Sequence, residues 1–326
     1  MIITLIDLKD LTSDHPFVSC YWAELKNNNG WDSEAYKIED DKKVFQILVL
    51  YKSLIFKNKL AYIPFSPICI NGDFTLSSNK IENIIKYINK ITKNKVIFFR
   101  IDLPFEYKDL ESFEKIFQVN KESIQPEKTV KISLQQNIFD IRLQYKKRAK
   151  RNLIKNKNVI TVEDVKPTKN NIEVWYSIYE ATAKRDCFQT RSLEYINNIF
   201  LTEDIVKPKL LFAYKEGVVV AGIIILIGKK EAVYLLGASK RIDGFSPSYS
   251  LQDYAIELSK NLGLKQYDLF GIGSDEKSKH LKSLTLFKSS FGGEFFQRIP
   301  TLDYPIKKIS YLLFKIVEYF RFRLYR

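Results

Sequence analysis

EAVYLLGASKRIDGFSPSYSLQDYAIELSKNLGLKQYDLFGI, residues 231–272, holds three elements in a row. Glu231 to Ser239 is an apolar run of strand length, and Lys240 to Ser246 is a polar loop containing Gly244. From Ser248 to Leu262 the residues Leu251, Tyr254, Ala255, Leu258 and Leu262 recur at three- and four-residue spacing, the pattern of a helix with one buried face. Gly263 follows as a helix-ending signal, and Gln266 to Ile272 returns to strand-like composition.

Upstream, Leu210 to Lys215 and Val218 to Ile227 read as two further strands. Glu216-Gly217 and Lys229-Lys230 are short turns between apolar runs, so the three strands form a meander. The first half repeats the order. Val44 to Tyr51 and Leu60 to Phe65 are strands, and Asn79 to Ile91 is a helix with Ile81, Ile84, Ile85 and Ile88 on one face. Lys95 to Asp102 is a buried strand that Pro104 terminates. Strand–strand–helix–strand therefore occurs twice, which predicts an α+β protein with two domains of similar topology. A chain of 326 residues is long enough for about two domains.

Apolar residues make up 45% and aromatic residues 14%, enough to build sizeable cores and to exclude a disordered chain. Lysine and arginine total 52 against 38 acidic residues, a net charge of +14. Such an excess favours an anionic partner: a nucleic acid, a phosphorylated ligand or an acidic lipid surface. Cys20, Cys69 and Cys187 are odd in number and form no CxxC pair, which argues against a disulfide framework or a zinc ribbon. His15 and His280, the two histidines, lie in no ligand-spaced motif and read as ordinary packed or surface side chains. Neither G-x-S-x-G, nor G-x-x-x-x-G-K-[ST], nor G-x-G-x-x-G occurs, so serine hydrolase, P-loop and dinucleotide-binding functions are disfavoured. MIITLIDLKD at the amino terminus has no basic leader before a long apolar core, and the apolar run Val218 to Gly228 falls short of the about 20 residues a membrane span needs. A cytoplasmic protein is expected.

Two strongly basic segments stand apart. Leu134 to Lys157 reads as one helix, apolar at Leu134, Ile138, Ile141 and Tyr145, with Arg142, Lys146, Lys147, Arg148, Lys150, Arg151, Lys155 and Lys157 clustered toward its end. Like charges at that spacing repel unless an anion neutralises them, and a phosphate backbone would do so. Pro305 to Arg326 reads as an amphipathic helix. Its stripe is Ile306, Ile309, Leu313, Ile316, Val317, Phe320 and Leu324, flanked by Lys307, Lys308, Lys315, Arg321, Arg323 and Arg326. The stripe suits docking on a core, and the basic flank suits an anionic membrane surface.

The loop after strand 231–239 carries Arg241 and Gly244 of an R-x-x-G-x-[GA] pattern, with Ser246 in place of the last small residue. That partial match resembles the acyl-CoA loop of the GNAT acetyltransferases. A longer series is more specific: Lys-Arg-Ala-Lys-Arg-Asn-Leu-Ile-Lys (147–155), R-D-x-F-x-x-R-x-x-x-Y (185–195), Y-x-x-G-A-S (234–239), G-x-x-x-Y-D-L-F-G-I-G (263–273) and L-x-x-F-K-x-S-F-G-G-E-F (284–295). In this order the series resembles the FemABX family, over nearly the whole chain and most specifically from Arg185 to Phe295. No long insertion for a helical arm is present in the second half, so the chain looks like the shorter FemX type. The resemblance implies two GNAT-like domains, each a mixed or antiparallel sheet with packed helices. The expected division is 1–144 joined by the C-terminal helix 303–326, and 145–302. It further implies transfer of an amino acid from aminoacyl-tRNA to the side-chain amine of the peptidoglycan stem peptide, carried by UDP-MurNAc-pentapeptide or lipid II. Aminolysis of an activated ester requires no cofactor and no metal, and the acceptor would bring the enzyme to the cytoplasmic membrane face.

The resemblance also implies site residues. Phe287-Lys288 matches a Phe-Lys pair of the family, with Lys288 as a cationic donor near the reacting ester or the tRNA phosphates. Asp102, at the end of its strand, matches an aspartate at the acceptor's amine, where it would orient or deprotonate that amine. A salt bridge to Arg100 is the alternative for it. Arg191 and Tyr195 match a pair at the acceptor's phosphates and, four residues apart, share a face if they lie on a helix. Tyr234 matches a central-strand tyrosine, and Lys26 a lysine for acceptor phosphate. The basic helix, through Arg148, Lys150 and Arg151, would meet tRNA. Asp268, mid-strand, is expected to be structural. Two rival readings remain: an acyl-CoA-dependent GNAT enzyme acting on a glycan or lipid-linked sugar, and a non-catalytic RNA- or membrane-binding protein on a GNAT scaffold.

Overall fold

The computed structural model describes residues 1–54, 58–93, 95–120, 123–202, 204–273 and 279–324, with the backbone alone for 279–281 and 321–324. The side chains of His280, Arg321, Arg323 and Leu324, and all of Arg326, lie outside what is described. Two compact units emerge: 1–13 with 17–125 and 298–326, and 14–16 with 126–297.

The first unit begins with β1 (Ile2–Ile6), α1 (Cys20–Asn27), β2 (Asp32–Asp40), β3 (Lys43–Ser53), β4 (Lys59–Pro64), β5 (Ile68–Cys69), α2 (Ser78–Ile91), β6 (Val96–Asp102), α3 (Leu110–Glu114) and β7 (Gln118–Val119). β1 to β4 pair antiparallel in sequence order. α2 then carries the chain across so that β6 lies parallel to β4, as a helical crossover requires. Ser77 caps α2 by accepting the Lys80 N–H, and Ile81, Ile84, Ile85 and Ile88 are buried on its inner face.

The second unit contains β8 (Lys128–Ser133), α4 (Ile138–Leu143), α5 (Lys147–Asn156), β9 (Ile160–Val165), α6 (Lys169–Asp186), α7 (Leu193–Ile199), β10 (Lys207–Lys215), β11 (Val218–Ile227), β12 (Glu231–Ser239), α8 (Pro247–Asn261), β13 (Gln266–Asp268), α9 (Lys279–Lys288) and β14 (Glu294–Gln297). β9 to β12 pair antiparallel in sequence order. α8 then crosses so that β13 lies parallel to β12. The turn 216–217 has φ 53° and 77°, the left-handed pair that a two-residue hairpin favours. The doubled order read from the sequence is thus a doubled topology: four antiparallel strands, a crossover helix and a parallel strand. Each unit is a mixed sheet with packed helices.

The last segment returns to the first unit, where β15 (Leu302–Pro305) pairs with β6 and β7 and α10 (Lys308–Leu324) follows. The expected division at 144/145 is therefore corrected to 125/126, because β8 and α4 belong to the second unit, where β8 pairs with β13 and β14. The return falls at 298 rather than 303.

Three local expectations also change. The single helix over 134–157 is two helices, broken where the Lys146 N–H bonds to the Ser290 carbonyl instead of continuing the turn. The strand 266–272 stops at Asp268, because Phe270 and Gly271 take φ of 47° and 55°. Lastly, α10 docks on the face opposite to the expected one. Tyr311 and Phe314 pack on Phe98, while Ile309, Leu313, Ile316, Val317 and Phe320 stand exposed.

Candidate functional site

In the second unit, β12 and β13 pair only over Glu231–Val233 and Gln266–Asp268. β13 then ends in the left-handed residues Phe270 and Gly271, and β12 continues without it. Both carbonyls of this turn accept hydrogen bonds from Lys288 Nζ, that of Gly271 at 2.8 Å. Lys288, the last residue of α9, is 6% exposed. Burial pulls its pKa from 10.5 down to about 7, with the negative charge of Asp268 opposing the shift. A lysine whose proton sits near the working pH is suited to transferring a proton or to charge stabilisation. An ammonium has three donors, and the two carbonyls occupy two of them.

Tyr234 lies beneath that nitrogen, its ring centroid 5.1 Å from Lys288 Nζ. A bulge in β12 sets its direction. Ile224 faces Leu236 and Ile225 faces Tyr234, so Leu235 is the extra residue. The Tyr234 ring then lies over Gly237, where a Cβ would sit 1.9 Å from the Tyr234 hydroxyl oxygen. The glycine of Y-x-x-G is thus the floor on which the tyrosine rests. Sequence reading had singled out Tyr234 and not Gly237, although the three-residue spacing was visible.

Asp268 holds the turn from below. Its carboxylate accepts the Phe270 N–H at 2.7 Å and the Thr129 hydroxyl. Lys131 Nζ stands 3.8 Å from it and 3.1 Å from Glu231. Burial raises the pKa of Asp268, and the Lys131 charge opposes this. His15 Nε2 is 3.7 Å from Glu231, and burial drops its pKa to about 3, so at neutral pH it is an uncharged imidazole. Among the described residues no group of three or more His, Cys, Asp or Glu side chains is placed to hold a metal ion.

Asp102, in the first unit, has a different setting from the one expected. It is fully buried, and its partner is Arg298 at 3.0 Å, not Arg100. Tyr62 donates to it at 2.5 Å, and the Thr301 hydroxyl and the Gln125 N–H also donate. Both oxygens are engaged, so in this structure the carboxylate ties strands together instead of facing an amine. Arg100 pairs with Asp303 at 2.7 Å and Glu318 at 2.5 Å. Lys26 lies on α1 with its ammonium 4.5 Å from the Trp22 ring centroid.

The remaining expected residues fall in the second unit. Arg191 and Tyr195 do meet, guanidinium over ring at 5.4 Å, but Arg191 precedes the Ser192 cap of α7 and is not itself helical. An open hollow of about 460 Å³ is lined by Glu180, Ala183, Lys184, Phe188, Gln189 and Thr190, next to Arg191 in sequence. Arg185, from the same motif, clamps α6 to the end of β12 by donating to the Ser239 carbonyl at 2.6 Å. Phe287 packs edge-on against Tyr249 and Phe291, which makes it a wedge for the end of α9. On α5, Arg148, Lys150 and Arg151 are exposed as expected. Arg148 Nε is held by the Tyr249 hydroxyl at 2.8 Å, and Lys150 Nζ by the Leu143 carbonyl at 2.9 Å. Arg142 leaves the basic cluster, bound by Asp253 and Glu257. In the loop 240–246, the Ser246 N–H goes to Asn156 Oδ1 at 3.2 Å, and Pro247, the first residue of α8, has no N–H to offer.

Comparison with known proteins adds a family and a fold. Residues 206–319 match the model of the FemAB family. A lipid II:glycine glycyltransferase of Staphylococcus haemolyticus is 22% identical over 382 aligned positions, covering 91% of this chain and 89% of the relative. That of Staphylococcus saprophyticus is 21% identical, with the same coverage. Those 382 positions exceed the 326 residues of this chain, so the relative carries segments that this chain lacks. The crystal structure of FemX superposes with a TM-score of 0.79 at 18% identity, covering 96% of this chain and 99% of that one. A tandem GNAT protein of the clavulanic acid biosynthesis pathway superposes at 0.51, with 7% identity and 85% and 83% coverage. The fold is therefore that of FemX, with GNAT-like units.

Proposed function

We propose, from the match of residues 206–319 to the FemAB family model and from the lipid II:glycine glycyltransferase relatives, that the chain is a FemABX-type aminoacyltransferase acting in peptidoglycan bridge formation. The donor is aminoacyl-tRNA, and the acceptor is the side-chain amine of the stem peptide on lipid II or its UDP-linked precursor. The observation that carries this reading is Lys288, a buried lysine of lowered pKa held where β13 parts from β12. The named activity of the staphylococcal relatives, lipid II:glycine glycyl transfer, supports the lipid-linked acceptor.

The chemistry needs little else. The acceptor amine attacks the carbonyl carbon of the aminoacyl ester, a tetrahedral oxyanion forms, and the C–O bond to the tRNA ribose breaks. One proton from the amine ends on the departing ribose hydroxyl, and an amide remains. In its charged form, Lys288 offers the developing oxyanion the donor that the two turn carbonyls leave over, and in a site of low water content such a donor is strong. Tyr234, supported on Gly237, shapes the floor of the site, and Asp268 holds the turn that aims Lys288. Lys150 and Arg151 on α5 meet the tRNA backbone, while Arg148 positions Tyr249. Arg191, with Tyr195, and Lys26 are assigned to acceptor phosphates, where a guanidinium suits a pyrophosphate. Asp102 is assigned to holding the first unit's strands. Such an enzyme works in the cytoplasm at the inner membrane face.

The acyl-CoA reading is disfavoured by the loop before α8. Its last N–H is taken by Asn156 and its next residue is proline, which weakens it as a pyrophosphate cradle. The test is labelling of purified UDP-linked and lipid-linked stem peptides from a pool of tRNAs charged with radioactive amino acids, beside a matched assay with acyl-CoA. Ribonuclease-sensitive label on a precursor supports the proposal. Acceptor labelling from acyl-CoA alone overturns it.

A further inference from the structure

α10 is amphipathic in an unusual sense. The positions that face the first unit's sheet are Tyr311, Phe314, Lys315 and Glu318. Tyr311 and Phe314 pack on Phe98 with ring centroids 5.0 and 4.9 Å away. Lys315 donates to Asn120 and Glu318, and Glu318 closes on the buried Arg100. The opposite positions, Ile309, Leu312, Leu313, Ile316, Val317 and Phe320, run at the i, i+3, i+4, i+7, i+8, i+11 spacing of one helix face. All six are exposed, from 47% at Ile316 to 80% at Ile309. A continuous apolar face of this kind on an otherwise well-packed unit marks an interaction surface.

We propose that this outward face of α10 is a membrane-docking surface, lying in the interface of a bilayer that contains anionic lipid. Charge argues for lipid over a protein groove. Glu318 is the one acidic residue of α10, and it is turned inward to Arg100. The helix begins with the exposed Lys308, its sequence continues through Arg321, Arg323 and Arg326, and the chain carries +14 overall. An apolar face with an exposed lysine at its start, arginines in the sequence toward its end and its one acid turned inward is the pattern of an interfacial helix, its apolar side chains entering the acyl boundary and its cations meeting lipid phosphates. The described helices include none long and apolar enough to cross a membrane, so the attachment lies in the surface plane. Docking requires neither donor nor acceptor, so it stands or falls apart from the transfer reaction.

The experiment is co-sedimentation of the full-length protein with vesicles of phosphatidylcholine alone or mixed with phosphatidylglycerol, across a salt series, beside L312E/V317E. The wild type is expected to partition to the mixed vesicles at least tenfold more than to the neutral ones, and less so as salt rises. The double variant, with an unchanged circular dichroism spectrum, should lose at least tenfold of that binding. L312Q/V317Q probes the same face should the glutamates disturb folding. Binding that survives both variants, or no binding by the wild type, overturns the proposal. So does a wild-type dimer that L312E/V317E dissolves while vesicle binding is absent, since a second copy would then be what covers the face.

Discussion

Lys288 is the residue on which the proposed chemistry rests, and its burial has a thermodynamic consequence that can be measured without any substrate. Its pKa is about 7 in the folded chain against the ordinary 10.5. Between these values the unfolded chain holds a proton that the folded chain has released, so stability rises with pH across that window, and below about 7 the full penalty of the buried charge is felt. Lys288→Met removes the titration. The difference in unfolding free energy between wild type and variant should therefore move in favour of the wild type by about 1 kcal/mol per unit between pH 7.5 and 9.5. Urea midpoints at several pH values read this out, and parallel curves would show that Lys288 is not titrating in that range. The identity of this lysine was legible from Phe-Lys placed before Gly-Gly. Its burial was not, because the two carbonyls that hold it, those of Phe270 and Gly271, arrive from a turn that sequence reading took for the end of a strand.

At the scale of elements, periodicity carried the reading where a helix buries one face on its own sheet. α2 and α8 start and stop within a residue of expectation. The isoleucine stripe of α2 is buried as read, whereas α8 is rotated from its expected face, burying Tyr249, Gln252, Ile256 and Ser259 beside Leu251 and Ala255 and leaving Leu262 exposed. The reading failed where a distant partner overrides the local pattern. The break between α4 and α5 has no glycine or proline to announce it, and is set by the Lys146 N–H bond to Ser290 and the Tyr145 ring against Phe291. α10 presents its less apolar side to the sheet because Glu318 must reach Arg100. α5 itself keeps its basic side chains exposed. K150Q/R151Q removes two of its cations, so tRNA affinity should fall and the slope of log K against log salt should shrink by about 1.5 to 2. An unchanged slope in filter binding would take α5 out of the tRNA interface.

At the scale of the whole chain, the decisive feature is the return of residues 298–326 to the first unit. β15 slots between β6 and β7, and Arg298 seals the junction against Asp102 and the Gln125 carbonyl. Nothing local in Gln-Arg-Ile-Pro marks this arginine, since its carboxylate partner lies nearly two hundred residues earlier. Arg298→Met leaves Asp102 buried without its counter-charge and should destabilise the protein by about 3–5 kcal/mol, read as a lowered urea midpoint. A loss under 1 kcal/mol would mean that the first unit does not depend on this closure.

In the proposed reaction Lys288 carries the transfer step. The most direct test is the single-turnover rate of amino-acid transfer from the cognate charged tRNA to a stem-peptide precursor, for wild type and Lys288→Ala, with tRNA and precursor both saturating. The variant is expected to fold and still bind tRNA, yet to react slower by on the order of a hundredfold or more. A variant that transfers at the wild-type rate would contradict that role.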